Sequence, residues 1–130
     1  MKNALLLSFV LLLTSCNLFK ESQEESSPER VNHVVFCWLK DSGSIVHRAQ
    51  LIETSMKFKD IPGVLEVRAG EVIKSDRSIV DSTYDVAIFL SFKNKEDLAS
   101  YIQHKDHQLA VKTVLKPLVS KILVYDFSSQ

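Results

Sequence analysis

Tyr101, His104 and His107 fall at intervals of three near the C-terminus. At about 100° per residue, one continuous helix through them places a phenol and two imidazoles on neighbouring rows of one side. Imidazole changes charge near neutral pH and a phenol donates or accepts a hydrogen bond, so the trio can orient and deprotonate a small molecule held beside it. No other acid/base-capable cluster stands out in the chain. For His107 two roles stand open: a general base, or a helix histidine hydrogen-bonded to backbone or to His33 that fixes helix against sheet. Tyr101 is either the group that orients a substrate or a core-edge aromatic whose hydroxyl is satisfied by a polar neighbour. His33, at the start of an apolar run, is a ligand-binding or structural partner of the helix histidines. His104 and His107 could chelate an ion from successive turns, but they lack a clear third ligand, so no metal and no cofactor is expected.

The elements that must position these groups are legible in the pattern. Residues 31–39 are β-branched, aromatic and continuous, a first strand. Asp41-Ser42-Gly43-Ser44 supplies turn and N-cap chemistry, and Ile45, Ala49, Ile52 and Met56, joined by Leu51 and Phe58, recur at helical spacing up to about Lys59. Ile61-Pro62-Gly63 ends that helix. Strands are expected over 64–74 and 84–92, with a polar loop at 75–83 between them. Asn94 can cap a second helix that carries Leu98, Tyr101 and Ile102 on one side and continues in helical rhythm to Pro117. A last strand over 119–127 completes the order βαββαβ.

That order is a ferredoxin-like α+β protomer, an antiparallel four-stranded sheet with both helices on one face. The other face should then be polar, yet Val34, Phe36 and Trp38 oppose Val35, Cys37 and Leu39, and Leu123, Tyr125 and Phe127 oppose Ile122 and Val124. Strands apolar on both sides are covered on both sides. The chain has no strands left to make the cover, so a second copy stacked sheet to sheet about a twofold axis is expected.

Ahead of this domain the sequence changes character. Lys2 is followed by an apolar run from Ala4 to Leu13 and then Leu13-Thr14-Ser15-Cys16, a secretory signal over 1–15 too short to span a bilayer. Leu13-Thr14-Ser15-Cys16 resembles a bacterial lipobox, in which the cysteine after the cut is acylated; Cys16 is the expected lipidation site. This implies a protein of the bacterial cell envelope, periplasmic or outer-membrane, held on a membrane by its lipid alone. Residues 16–30, with Glu21, Glu24, Glu25 and Glu29, serines and Pro28, have the composition of a solvated tether. The folded domain spans 31–127 and a short tail 128–130.

With 45% hydrophobic and 25% charged residues the chain is ordinary globular material, and its 16 basic residues balance 16 acidic ones. No basic stripe marks a nucleic-acid partner. Cys37 is the only cysteine besides Cys16, so the domain has no internal disulfide; within its apolar strand Cys37 reads as a small buried hydrophobe.

Five segments in order, His33-Val34-Val35-Phe36, Ile61-Pro62-Gly63-Val64, Tyr84-Asp85-Val86-Ala87, the Tyr101, His104, His107 spacing and Val124-Tyr125-Asp126-Phe127, together resemble the stress-responsive dimeric α/β barrel (Dabb) family over essentially all of 31–127. The resemblance implies the ferredoxin-like protomer, sheet-to-sheet homodimers, and a cavity between sheet and helices for small apolar or aromatic compounds. Most members of the family have no assigned activity. A plant member is a polyketide cyclase that works by intramolecular aldol condensation, and its base, supporting phenol and strand histidine match His107, Tyr101 and His33. Two expectations therefore stand side by side: a ligand-binding or stress-related barrel, or a cofactor-free cyclase, isomerase or oxygenase. Two positions depart from the family pattern. Lys105 follows His104 where members usually have proline, so local chemistry specifies no helix break there. Asp85 stands where the cyclase has a histidine.

Overall fold

A computed structural model describes residues 29–130. The signal segment, Cys16 and nearly all of the expected tether lie outside the described residues. Ten segments follow in order: β1 (Arg30–Leu39), α1 (Ile45–Met56), a 3-10 turn (Lys57–Asp60), β2 (Val64–Glu71), β3 (Val86–Phe92), α2 (Lys95–Gln103), α3 (Lys105–Ala110), a π-helical turn (Val111–Leu115), α4 (Lys116–Leu118) and β4 (Val119–Ser129). The strands form one antiparallel sheet in the order β2-β3-β1-β4, the ferredoxin-like arrangement expected from the sequence.

Register sets which side chains reach the helices. His33 stands opposite Leu90 on β3 and Asp126 on β4, Val35 opposite Ile88 and Val124, and Cys37 opposite Val86 and Ile122. Because side chains alternate along a strand, these residues share one face. That face carries the core: Leu51 of α1, Phe58 of the 3-10 turn and Tyr101 of α2 are buried against Val86, Ile88, Leu90 and Phe92 of β3. Each such side chain contributes roughly 1.5–3 kcal/mol by leaving water.

The sheet's second face holds Val34, Phe36 and Trp38 with Leu123, Tyr125 and Phe127. Tyr125 is 55% and Phe127 50% exposed, so this apolar face lacks a cover within the described chain. Tyr84 sits two residues before β3 rather than inside it. Its ring packs edge-on against Phe36 and Trp38, at 4.9 and 6.4 Å between centroids, and Trp38 Nε1 donates to Thr83 Oγ1 at 3.0 Å. The β2–β3 connection thus folds onto one end of that second face, and β2 stops and β3 starts inside the expected ranges, at Glu71 and Val86.

α1 buries only part of the stripe its apolar residues outline: Leu51 is buried and Ile52 packs against the core. Ile45 is 71% exposed and Ala49 is exposed, while Leu51 and Ser55 are fully buried. The Ser55 hydroxyl donates to the Leu51 carbonyl at 2.8 Å, so this small polar residue sits beneath the helix without an unmet hydrogen bond. Ser44 caps the helix by accepting from the His47 N–H, as its position suggested.

Beyond α3 the helix widens. The Lys116 N–H bonds to the Val111 carbonyl, five residues back. Pro117 has no N–H to offer Thr113, and its ring crowds the carbonyl four residues earlier, which favours the looser turn. Among the described residues no helix is long and apolar enough to cross a membrane.

Candidate functional site

His33 of β1, Tyr101 of α2 and His107 of α3 line one cavity of about 160 Å3 between the sheet and the helices, its remaining walls built from aliphatic residues such as Val35, Ile88 and Leu90 and the Phe58 ring. Asn94 positions Tyr101 by capping α2: its Oδ1 accepts the Asp97 N–H at 2.8 Å. Seven residues later the Tyr101 ring lies between strand and helix, with ring centroids 4.5 Å from His107, 6.1 Å from His33, 5.7 Å from Phe58 and 5.2 Å from Phe92. It is 1% exposed, and burial pushes its phenol well above the ordinary range.

The continuous helix through Tyr101, His104 and His107 is not what forms. His104 has extended backbone (φ −65°, ψ 137°), ends α2 and begins α3. The break occurs without the proline at position 105. The His104 side chain specifies it instead, because its Nδ1 accepts the Asp106 N–H at 3.3 Å in the manner of an N-cap. His104 therefore shapes the bend and does not line the cavity. The bend in turn brings His107 within ring contact of Tyr101.

His107 Nδ1 lies 3.0 Å from the Ile102 carbonyl oxygen. A carbonyl only accepts, so Nδ1 carries the hydrogen, and in the neutral ring Nε2 is left as a proton acceptor. Burial lowers the His107 pKa below its ordinary value of 6.5; the Ile102 hydrogen bond pulls the other way, and the nearby His33 and His104 add to the lowering. The balance favours a neutral imidazole at pH 7, the form that removes protons.

His33 does not bond to the helix histidines. Its Nδ1 lies 2.6 Å from Oδ1 of Asp126, its cross-strand neighbour on β4. A carboxylate likewise accepts only, so this ring also has Nδ1 engaged as donor and Nε2 unassigned. Two imidazoles, each oriented through Nδ1 by an oxygen, flank one buried phenol. That arrangement can hold a carbonyl or hydroxyl compound and move a proton within an otherwise apolar space.

Asp126 and Phe58 were not recognised as site residues from sequence. A signal for Asp126 exists: it is the one acid in the apolar run of β4, and alternation puts it on the face of Ile122 and Val124. Asp85, standing where the cyclase has histidine, has a structural task; its Oδ2 accepts the Leu39 N–H at 2.8 Å. Cys37 is wholly buried, and burial raises its thiol to about 12, which leaves it inert. Among the described residues no group of three metal-ligating side chains converges.

Comparison with known proteins places this site in context. The model of the stress-responsive A/B barrel domain matches residues 31–129. Comparison with curated proteins gave no match. Among solved structures, hydroxynitrile lyase from Passiflora edulis is similar with a TM-score of 0.68 at 21% identity, over 80% of this chain and 96% of that one. A Dabb family protein with a ferredoxin-like fold from Mesorhizobium loti gives a TM-score of 0.63 at 21% identity, over 76% and 95% of the two chains. A dimeric ferredoxin-like protein of unknown function from Thermobifida fusca gives 0.63 at 18% identity, over 79% and 93%. At these identities the structural likenesses speak for the fold, and the family match covers the whole described domain. The chain belongs to the stress-responsive A/B barrel domain (Dabb) family.

Proposed function

We propose that this protein is a homodimeric, lipid-anchored barrel of the bacterial envelope, periplasmic or outer-membrane, whose cavity binds a small apolar or aromatic compound bearing a carbonyl or hydroxyl group. The observation that carries the binding reading is the cavity itself: an apolar space of about 160 Å3 into which His33, Tyr101 and His107 bring hydrogen-bonding groups. An apolar cavity of about 150 Å3 holds one benzene ring, so the occupant is of single-ring size. Support for the dimer comes from the uncovered apolar face of the sheet and from dimeric relatives of the same fold, from Thermobifida fusca and Bacteroides fragilis. Support for the anchor comes from the Leu13-Thr14-Ser15-Cys16 sequence after its apolar run.

A second reading adds chemistry to the same cavity. His107, neutral and with Nε2 as acceptor, acts as general base while Tyr101 orients the substrate oxygen, giving a cofactor-free cyclase, isomerase, oxygenase or lyase. The lowered His107 pKa favours it, and a hydroxynitrile lyase sharing the fold supports the idea that such a barrel can house a reaction. Titration of the protein with single-ring aldehydes, phenols and hydroxynitriles, followed by NMR, tests the binding reading. Shifts should concentrate on His33, Tyr101 and His107, and a panel that leaves these resonances unmoved rejects it. For the enzyme reading, turnover of a bound compound must fall at least about 100-fold in His107→Ala; equal turnover rejects the base.

A further inference from the structure

Beside the cavity, on the outer side of the helices, lies a second space of about 400 Å3. It has aliphatic walls, Ile61, Leu109 and Val114 among them, and a charged rim that includes Lys57, Asp60 and Asp106. Phe58 is the single residue that lines both spaces. The wall between them has two components that differ in how they can yield. One is the α3 and π-helical backbone, which presents Asp106, Ala110 and Val114 to the groove and His107, Val111 and Leu115 to the cavity. Opening it means unwinding a helix. The other is the Phe58 ring.

The Phe58 backbone is fixed: it belongs to the 3-10 turn that follows α1, and its carbonyl accepts the Ile61 N–H at 3.0 Å. The ring is held only by contact, edge-on to Tyr101 at 5.7 Å and to His107 at 5.6 Å, and it is 4% exposed. A side chain that touches both candidate site residues and separates a small chamber from a larger one decides how far a molecule extends on the groove side, opposite the exposed β4 wall of Ile122 and Val124.

We propose that Phe58 is the specificity-determining residue of the site: its ring partitions the His33, Tyr101 and His107 cavity from the outer groove, limiting the occupant to a single ring with short substituents. This rests on the reading of that cavity as the binding site. A compound with a longer alkyl chain overlaps the Phe58 ring and is rejected. Removal of the ring joins the two spaces, and the chain then runs along Ile61, Leu109 and Val114. The substrate class that follows is a monocyclic phenol or carbonyl compound without an extended tail.

Paired NMR titrations with 4-methylphenol and 4-butylphenol test this on the wild-type protein, Phe58→Ala and Phe58→Leu. Wild type should favour 4-methylphenol by about tenfold or more, since added methylenes that must displace a packed ring are penalised at that scale. In Phe58→Ala the preference should vanish or invert. Should the alanine variant fail to fold, Phe58→Leu decides, with at least about a threefold fall in the ratio expected from the partial loss of the ring. An unchanged ratio in a folded variant, with 4-methylphenol still shifting Tyr101 and His107, overturns the role of Phe58 and leaves the binding site standing. Equal affinity of wild type for both probes does the same. Probes that move neither Tyr101 nor His107 in any of the three proteins overturn both readings together.

Discussion

The His33 imidazole and the Asp126 carboxylate meet at 2.6 Å across the β1–β4 ladder, and β4 is the edge strand of the sheet. His33 is buried whereas the Asp126 side chain is about half exposed (48%), so the pair ties the interior to the rim. Replacing Asp126 with alanine leaves a buried N–H without its acceptor. The expected cost is about 1 kcal/mol by urea unfolding, the lower end for such a loss because solvent reaches the vacated position. Asp126→Asn keeps an acceptor oxygen and should cost less. In a double-mutant cycle with His33→Ala the two changes should couple by at least about 0.5 kcal/mol; additive changes would show that the contact contributes nothing.

His107 makes stability depend on pH in a defined direction. Its folded pKa lies below the ordinary 6.5, so between the two values the unfolded chain binds more protons. Its contribution is fully present above about pH 6.5 and is lost as pH falls through the folded value. Between pH 8 and pH 5 the melting temperature of His107→Gln should therefore drop less than that of wild type. Identical drops in calorimetric scans would contradict burial as the cause.

How much of this was legible in the sequence varies with the physics involved. The strand and helix order followed from apolar runs and from the caps Ser44 and Asn94, because those signals act within a few residues of where they stand. The meeting of Tyr101 and His107 was expected, but for the wrong reason: a straight helix was read where His104 makes a bend. Side-chain capping by a histidine nitrogen is a weak local signal beside the strong one that proline gives. On the first helix Leu51 and Phe58 were legible as buried, whereas Ser55 carries no hydrophobic mark and is buried with a hydrogen bond to its own helix. Asp126 as the partner of His33 depended on a register linking residues 93 positions apart. Nothing local encodes that pairing.

The apolar face of Phe36, Leu123, Tyr125 and Phe127 makes a prediction about assembly. A protein starting at residue 29 should run as a dimer in light scattering at micromolar concentration. Tyr125→Asp places a charge where a partner sheet would desolvate it, and should weaken association by at least about 100-fold. A wild-type monomer, or a Tyr125→Asp dimer of undiminished affinity, would reject this face as the interface.

The anchor is tested at the other end of the chain. Cys16→Ser in the full-length protein should move it from the membrane fraction to the soluble fraction of a bacterial host. Mass spectrometry of the wild-type N-terminus should find acyl chains on Cys16. An unmodified Cys16 in membrane-extracted protein would rule out the anchor.

Cys37 lies at the centre of the sheet, between β3 and β4, with no exposed surface and a thiol raised to about 12. Reagents that attack thiolates reach it only when the strands part, so its alkylation rate times the opening of the core. The domain thus carries its own clock: one thiol, silent in the native state, whose labelling reports how often the core comes apart.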